Sequence, residues 1–141
     1  MARGSISHIA LTVSDLERST EFYNKVFELI GFKRVEVPES IQQVMKTRLK
    51  AWVGPGHSIS IRPSKGEFAH RLHDRTAAGF NHMAFTAEDR SDVEKMHGLL
   101  KEIGATVLDP PAEYPYSPGY FAVYFTDPDG LKFEFAHAPR P

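Results

Sequence analysis

The chain has 141 residues, of which 41% are hydrophobic and 25% charged, and its net charge is −1. This is the composition of one globular domain, and the dispersed basic residues form no positive patch of the kind that nucleic-acid-binding proteins need. Without a membrane-spanning apolar run or a signal-peptide pattern at the N-terminus, we expect a soluble protein of the cytoplasm. Because the chain has no cysteine, any metal ion must be held by nitrogen and oxygen atoms.

The first predicted element is a strand that ends at Val13, with Ile9 and Leu11 on one face and His8 on the other. Ser14 follows, and its S-x-x-E spacing predicts a capping box at the start of a helix. The apolar stripe of this helix has helical spacing as far as Ile30, and a glycine comes directly after it. Further strands are predicted at 32–37, 43–53 and 57–63.

The second half of the chain repeats the first. The sequence His-Ile-Ala-Leu-Thr-Val-Ser-Asp at 8–15 returns as His-Met-Ala-Phe-Thr-Ala-Glu-Asp at 82–89, an offset of 74 residues. A second S-x-x-E begins at Ser91 and predicts a helix that ends before Gly104. The other predicted elements of this half are strands at 80–87, 105–109, 119–126 and 131–136.

The repetition predicts the fold. Each copy has the element order β-α-β-β-β, so the fold class is α+β, with repeats at 5–63 and 80–137, a linker at 64–79, and one domain over 1–141. Two units that cannot bury their own apolar faces are expected to pack against each other. Such packing would bring the histidines of the two copies towards one site.

Three polar residues lie opposite the bulky apolar residues of their strands, namely His8, His82 and Glu134. Two imidazoles and a carboxylate form a ligand set that suits a divalent ion of iron, manganese, zinc or nickel and leaves positions open for a substrate. A single strand histidine is usually structural, but the repeat places a histidine at the same point of both copies. We therefore predict that this trio binds a metal ion.

These features resemble the vicinal oxygen chelate superfamily, which includes glyoxalase I, bleomycin-resistance proteins, fosfomycin-resistance transferases and extradiol dioxygenases. The resemblance rests on the paired units, the strand-opening His-x-Ala, and Asp-Pro-Asp-Gly-Leu-Lys-Phe-Glu-Phe at 127–135. It implies a curved mixed-sheet cup, a homodimer and ligands at positions 8, 60, 82 and 134. Ser60 departs from the glutamate that glyoxalase-like isomerases carry at this position, which favours three ligands over four.

Two classes of function follow from the resemblance. The first is a metal-dependent enzyme that acts on a small molecule with vicinal oxygens, as a dioxygenase, a lyase or isomerase, or a thiol transferase. The second is a metal-free protein that sequesters a drug, as bleomycin-resistance proteins do. The His-His-Glu set favours the enzyme, because a sequestering protein has no use for it.

The predicted catalytic residues are His73 and Tyr120, since an imidazole can exchange protons near neutral pH and a phenol can donate to an oxyanion. The other residues that we considered for these roles are His70, Arg75, Tyr114 and Tyr116. The segment 111–120 combines tyrosines and prolines, which is consistent either with an aromatic wall for a flat substrate or with ordinary loop packing. Two strand cations, Arg48 and Arg62, could meet an anionic substrate or simply face solvent, whereas the odd spacing between His57 and Ser60 argues against His57 as a ligand.

Overall fold

The computed structural model describes residues 2–139, which form two compact units, one up to Arg71 and the other from Leu72. The boundary falls inside the predicted linker. In chain order the elements are β1 (His8–Val13), α1 (Leu16–Ile30), β2 (Lys33–Val35), α2 (Glu39–Met45), β3 (Lys50–Val53), β4 (Ser58–Pro63), a 3₁₀ turn (Gly66–His70), β5 (His82–Thr86), α3 (Arg90–Glu102), β6 (Thr106–Glu113), β7 (Phe121–Thr126) and β8 (Lys132–His137).

The two sheets have the same topology. The strand order is β1-β4-β3-β2 in the first unit and β5-β8-β7-β6 in the second. In each unit the first and last strands pair in parallel, with Ala10 opposite Ser60 and Ala84 opposite Glu134. The α+β class with two β-α-β-β-β units is therefore confirmed.

Each sheet buries one apolar face under its long helix. In the first unit, the ring of Trp52 on β3 lies 6.1 Å from Tyr23 and 5.3 Å from Phe27 of α1. In the second, α3 packs on β6, β7 and β8 and buries Met96 and Leu100 completely. Because successive strand residues alternate between faces, His8, Ser60, His82 and Glu134 lie on the face that these helices leave uncovered.

The helix starts differ from the predicted ones. The N-cap of α1 is Asp15, whose Oδ1 accepts from the backbone N–H of Arg18 at 3.0 Å, and that of α3 is Asp89, which accepts from Asp92 at 2.9 Å. The predictions of Ser14 and Ser91 as caps are wrong. Like a serine, an aspartate accepts a hydrogen bond from an unpaired backbone N–H at the helix start. It also adds a negative charge at the positive end of the helix dipole.

The prediction of a strand over 43–53 is wrong before Lys50, because α2 continues to Met45 and β3 begins only at Lys50. The side chain of Gln42 explains the helical path, since its Oε1 accepts from the N–H of Leu49 and its Nε2 donates to the carbonyl of Val37, each at 3.0 Å. In the second unit, β6 continues beyond the predicted 105–109 and contains two prolines. It is an edge strand, where a missing N–H is tolerated.

Within residues 2–139, every helix is too short or too polar to span a membrane.

Candidate metal site

Two of the three predicted ligands lie side by side in the second unit. His82 opens β5 and Glu134 is in the middle of the parallel neighbour β8, and the His82 Nε2 atom is 3.4 Å from Glu134 Oε1. Two atoms that each bind one tetrahedral ion at about 2.1 Å are about 3.4 Å apart. The pair therefore fits a shared divalent ion in both donor type and spacing.

The two side chains differ in their access to solvent. The Glu134 side chain is 4% exposed, whereas that of His82 is 38% exposed. A buried carboxylate is costly unless it is hydrogen-bonded, and the Tyr120 hydroxyl donates to Glu134 Oε2. Oε2 thus has a hydrogen-bond partner in Tyr120, and Oε1 is the oxygen that lies beside His82.

Four tyrosines surround this carboxylate. Tyr114 stacks on Tyr116 at 5.4 Å between ring centroids, Tyr116 meets Tyr120 edge-on at 5.1 Å, and Tyr114 meets Tyr124 at 5.4 Å. Tyr124 lies directly opposite Glu134 in the register of β7 and β8. The three tyrosines of segment 111–120 thus form an aromatic cluster with Tyr124 beside Glu134.

The hydroxyls of Tyr114, Tyr120 and Tyr124 stay protonated at neutral pH. Burial raises the pKa of Tyr120 and Tyr124 strongly, and the nearby Glu134 carboxylate raises them further. Burial also raises the pKa of Tyr114, with a smaller contribution from Asp109. Each phenol is therefore available as a hydrogen-bond donor and not as a base.

The third predicted ligand, His8, belongs to the first unit, at the exposed start of β1. Its Nδ1 lies 3.2 Å from the hydroxyl of Ser7. Ser60, the counterpart of Glu134, accepts a long hydrogen bond of 3.4 Å from Arg62. Within residues 2–139, no group of three or more His, Asp or Glu side chains has the spacing to hold a metal ion, so the structure pairs His82 with Glu134 and leaves His8 a prediction.

The linker contributes a short folded loop before β5. The His73 Nε2 donates to the carbonyl of Phe80 at 2.7 Å, and its backbone N–H donates to the carbonyl of Asp129 at 2.9 Å. The Asp74 carboxylate accepts from both the N–H and the hydroxyl of Thr76, which holds its pKa below the usual value. The assignment of His73 as a catalytic residue stays a prediction, as does that of Tyr120; the side chain of His70 lies outside the described residues.

Two further candidates from the sequence, Arg48 and His57, belong to the first unit. Arg48 forms an exposed ion pair with Glu17 of α1 at 2.8 Å. His57 packs its ring on Phe32, on the helix side of the first unit. Neither contact indicates that the residue binds a metal ion or a substrate.

Asn81 is a residue of the site that the sequence reasoning missed. Its Oδ1 lies 2.7 Å from His82 Nδ1, and its Nδ2 donates to the carbonyl of Arg75 at 3.2 Å. A signal was present, because a polar residue precedes the histidine in both repeats, as Ser7 and as Asn81. Tyr124 was also missed, although its even spacing from Tyr120, which directly precedes β7, is typical of residues on one face of a strand.

Comparison with known proteins agrees with the architecture. A family model described as the glyoxalase/bleomycin resistance protein/dioxygenase superfamily matches residues 5–135. The chain is 32% identical to the protein YqjT of Bacillus subtilis, over 90% of this chain and 94% of that protein. It is 30% identical to metallothiol transferase FosB of Lysinibacillus sphaericus, over 93% of this chain and 80% of that protein.

Solved structures show the same fold. The glyoxylase/bleomycin resistance protein/dioxygenase domain from Frankia sp. EAN1pec superposes with a TM-score of 0.78 at 26% identity, over 98% of this chain and 100% of that one. The family model covers nearly the whole chain, and the repeated units have the same strand order. The chain therefore belongs to the glyoxalase/bleomycin resistance protein/dioxygenase superfamily.

Proposed function

We propose that this protein is an enzyme that depends on a divalent metal ion, held by His8, His82 and Glu134, and that its substrate is a small molecule with adjacent oxygen atoms. The observation that carries the proposal is the contact between His82 Nε2 and the buried carboxylate of Glu134 at 3.4 Å. Desolvating a carboxylate costs free energy and contributes nothing to the packing of an apolar ligand. The pair is therefore better suited to an ion than to drug sequestration.

The chain's own groups have distinct tasks in such a site. When bound, the ion acts as a Lewis acid on a substrate oxygen. The nitrogen and oxygen donors of His82 and Glu134 suit iron, manganese, zinc or nickel. The Tyr120 hydroxyl holds Glu134 Oε2, which keeps Oε1 turned towards His82.

We favour thiol transfer among the reactions open to this superfamily. Support comes from the 30% identity to a metallothiol transferase over 93% of this chain, and from Ser60, which replaces the carboxylate of isomerases. Because the chain has no cysteine, the thiol must be a second substrate. Its sulfur would form a bond to a substrate carbon while a carbon–oxygen bond breaks, and the released oxygen would take up the proton.

The predicted acid–base residues are constrained by their hydrogen bonds. The His73 Nε2 is engaged by the Phe80 carbonyl, so a proton exchanged by His73 must use Nδ1. The Tyr120 hydroxyl is protonated at neutral pH and donates a hydrogen bond to Glu134, so it orients that carboxylate. The homodimer and the cytoplasmic location stay predictions.

Metal analysis of the purified protein tests the proposal. We expect about one divalent ion per chain in the wild type, and much lower occupancy in H82A and E134Q because each removes a donor. His97→Ala on α3, on the other side of the sheet, is the matched control and should retain the ion. Wild-type protein that binds no ion from any of the four metals would contradict the metal site.

A substrate panel then separates the reaction classes. Metal-loaded protein is incubated with an epoxide and a thiol, with catechols and with hemithioacetals, and the products are identified by mass spectrometry. We expect a thioether product only when the epoxide, the thiol and the metal are all present. Tight binding of a small molecule without metal or turnover would instead establish the sequestering function.

A further inference from the structure

The hydrogen bonds of Asn81 determine how it can interact with His82. A backbone carbonyl can only accept, so the Asn81 amide nitrogen must be the atom that faces Arg75. The amide oxygen then faces His82 Nδ1 at 2.7 Å. Because this oxygen can only accept, the hydrogen must be on Nδ1 of the imidazole.

The competing contact of His82 is weaker. If Nε2 carried the proton, it would donate to the Glu134 carboxylate, but the separation of 3.4 Å exceeds the usual 2.7–3.2 Å range of such bonds. The Asn81 contact is 0.7 Å shorter. The geometry therefore places the hydrogen of a neutral His82 imidazole on Nδ1, which leaves the lone pair on Nε2, beside Glu134.

The carbonyl of Arg75 is itself held in place by the loop 73–81. The Asp74 carboxylate closes a tight turn over Thr76, and Ala77 N–H donates to the Asp74 carbonyl at 3.2 Å. The His73 side chain ties the start of the loop to the carbonyl of Phe80, next to Asn81. A chain of hydrogen bonds thus runs from the loop through Asn81 to His82.

The residue that precedes the histidine differs between the two repeats. Ser7 and Asn81 are 74 positions apart, as are His8 and His82, and each contacts the Nδ1 of the histidine that follows it. A serine hydroxyl can donate or accept, so Ser7 does not select a tautomer. The amide of Asn81, with its nitrogen already engaged, does.

We propose that Asn81 is a positioning residue, which fixes His82 in the Nδ1-protonated tautomer and so presents Nε2 to the metal ion. The metal part of this inference rests on the proposed function, whereas the tautomer is a property of the metal-free protein. Groups that orient a metal-binding histidine in this way typically change the affinity for the metal by 10- to 100-fold when they are removed. Because the Arg75 carbonyl holds the Asn81 amide, the loop 73–81 also helps to organise the site.

The test compares Asn81→Leu with a matched control. Asn24→Leu removes another asparagine whose Oδ1 accepts from a ring N–H, that of Trp52 at 3.1 Å, in the first unit. Long-range ¹H–¹⁵N spectra of the metal-free proteins at pH 8 report which nitrogen of His82 carries the hydrogen. Titration with Zn²⁺ and Mn²⁺ against a chelator gives the metal affinity, and thermal unfolding confirms that each variant is folded.

We expect His82 to be Nδ1-protonated in the wild type and in N24L, and to populate both tautomers in N81L. The metal affinity of N81L should fall by about 10- to 100-fold and that of N24L should not change. N81D, which keeps the accepting oxygen, should restore the wild-type tautomer. An unchanged tautomer in N81L, or an altered tautomer with unchanged metal affinity, would overturn the inference.

These readouts also separate this inference from the proposed function. If the wild type binds none of the four candidate metal ions, the proposed function fails, and the spectra of metal-free N81L still decide whether Asn81 sets the tautomer. If the wild type binds metal and N81L keeps both the tautomer and the affinity, only the positioning role fails.

Discussion

Single hydrogen bonds decide the chemistry of individual residues in the second unit. Glu134 would be a costly buried charge without the Tyr120 hydroxyl, and His82 could adopt either tautomer without Asn81. Both partners are neutral and keep their protons near pH 7. The pair thus retains a nitrogen and an oxygen donor for a cation.

Tyr114 provides a prediction on the pH dependence of stability. Burial raises its pKa above the ordinary value of 10.0 in the folded protein. The unfolded chain therefore loses this proton at a lower pH than the folded one, so the stabilisation is complete below pH 10 and is lost as the pH rises through the folded pKa. In Y114F, which keeps the ring stacked on Tyr116, the free energy of unfolding should fall less steeply between about pH 9.5 and 11.

Urea unfolding at several pH values measures this slope. The predicted difference is confined to alkaline pH, so wild type and Y114F should show parallel curves between pH 7 and 9. Identical slopes above pH 10 would show that Tyr114 ionises alike in the folded and unfolded states.

Helix caps and tight turns set the boundaries of the elements. Asp89 caps α3 by accepting from the N–H of Asp92, and the Ser91 hydroxyl and this N–H together lower its pKa. The predicted partner of a capping box, Glu94, has an exposed side chain instead. Capping at α3 thus depends on a residue that comes before the predicted start.

We expect Asp89→Ala to destabilise the protein by about 1 kcal/mol, because an orphan N–H at the helix start loses its acceptor. Glu94→Ala is the control and should change the stability by less than about 0.5 kcal/mol. Chemical denaturation at pH 7 measures both. An equal loss in the two variants would mean that a capping box of Ser91 and Glu94 forms after all.

Two glycines with opposite surroundings provide a prediction on packing. A Cβ at Gly54, between β3 and β4, would lie 2.3 Å from the ring of Phe32, which is buried in the first unit. A Cβ at Gly98, inside α3, would meet no atom within 4 Å. Gly54→Ala should therefore destabilise the chain by about 1–3 kcal/mol through overpacking, and Gly98→Ala should stabilise it by about 0.5–1 kcal/mol through helix propensity. Melting temperatures that move in the same direction would contradict this reasoning.

At the scale of the whole molecule, the repeat made most of the fold predictable. The signal for two β-α-β-β-β units occurs twice at a fixed offset, and strand alternation placed His82 and Glu134 on one face. Helix α2 was not predicted because its seven residues are too few for a clear helical period, while the hydrogen bonds of Gln42 that support it depend on the tertiary fold. The contacts of Asn81 could not be predicted either, since they depend on the path of the loop 73–81 in the folded protein.

The assignment of His8 yields the last prediction, because this residue belongs to the first unit while the observed pair belongs to the second. An ion that binds only the folded protein stabilises it by RT ln(1 + [L]/Kd), or about 2.7 kcal/mol at 100 times Kd. If His8 is the third ligand, saturating metal should raise the melting temperature of the wild type, and H8A at the same metal concentration should show a much smaller rise. Ser7→Ala, which keeps the imidazole, is the control and should retain most of the shift. Calorimetry with and without a chelator measures the effect, and a full metal-induced shift in H8A would show that His82 and Glu134 bind the ion without help from the first unit.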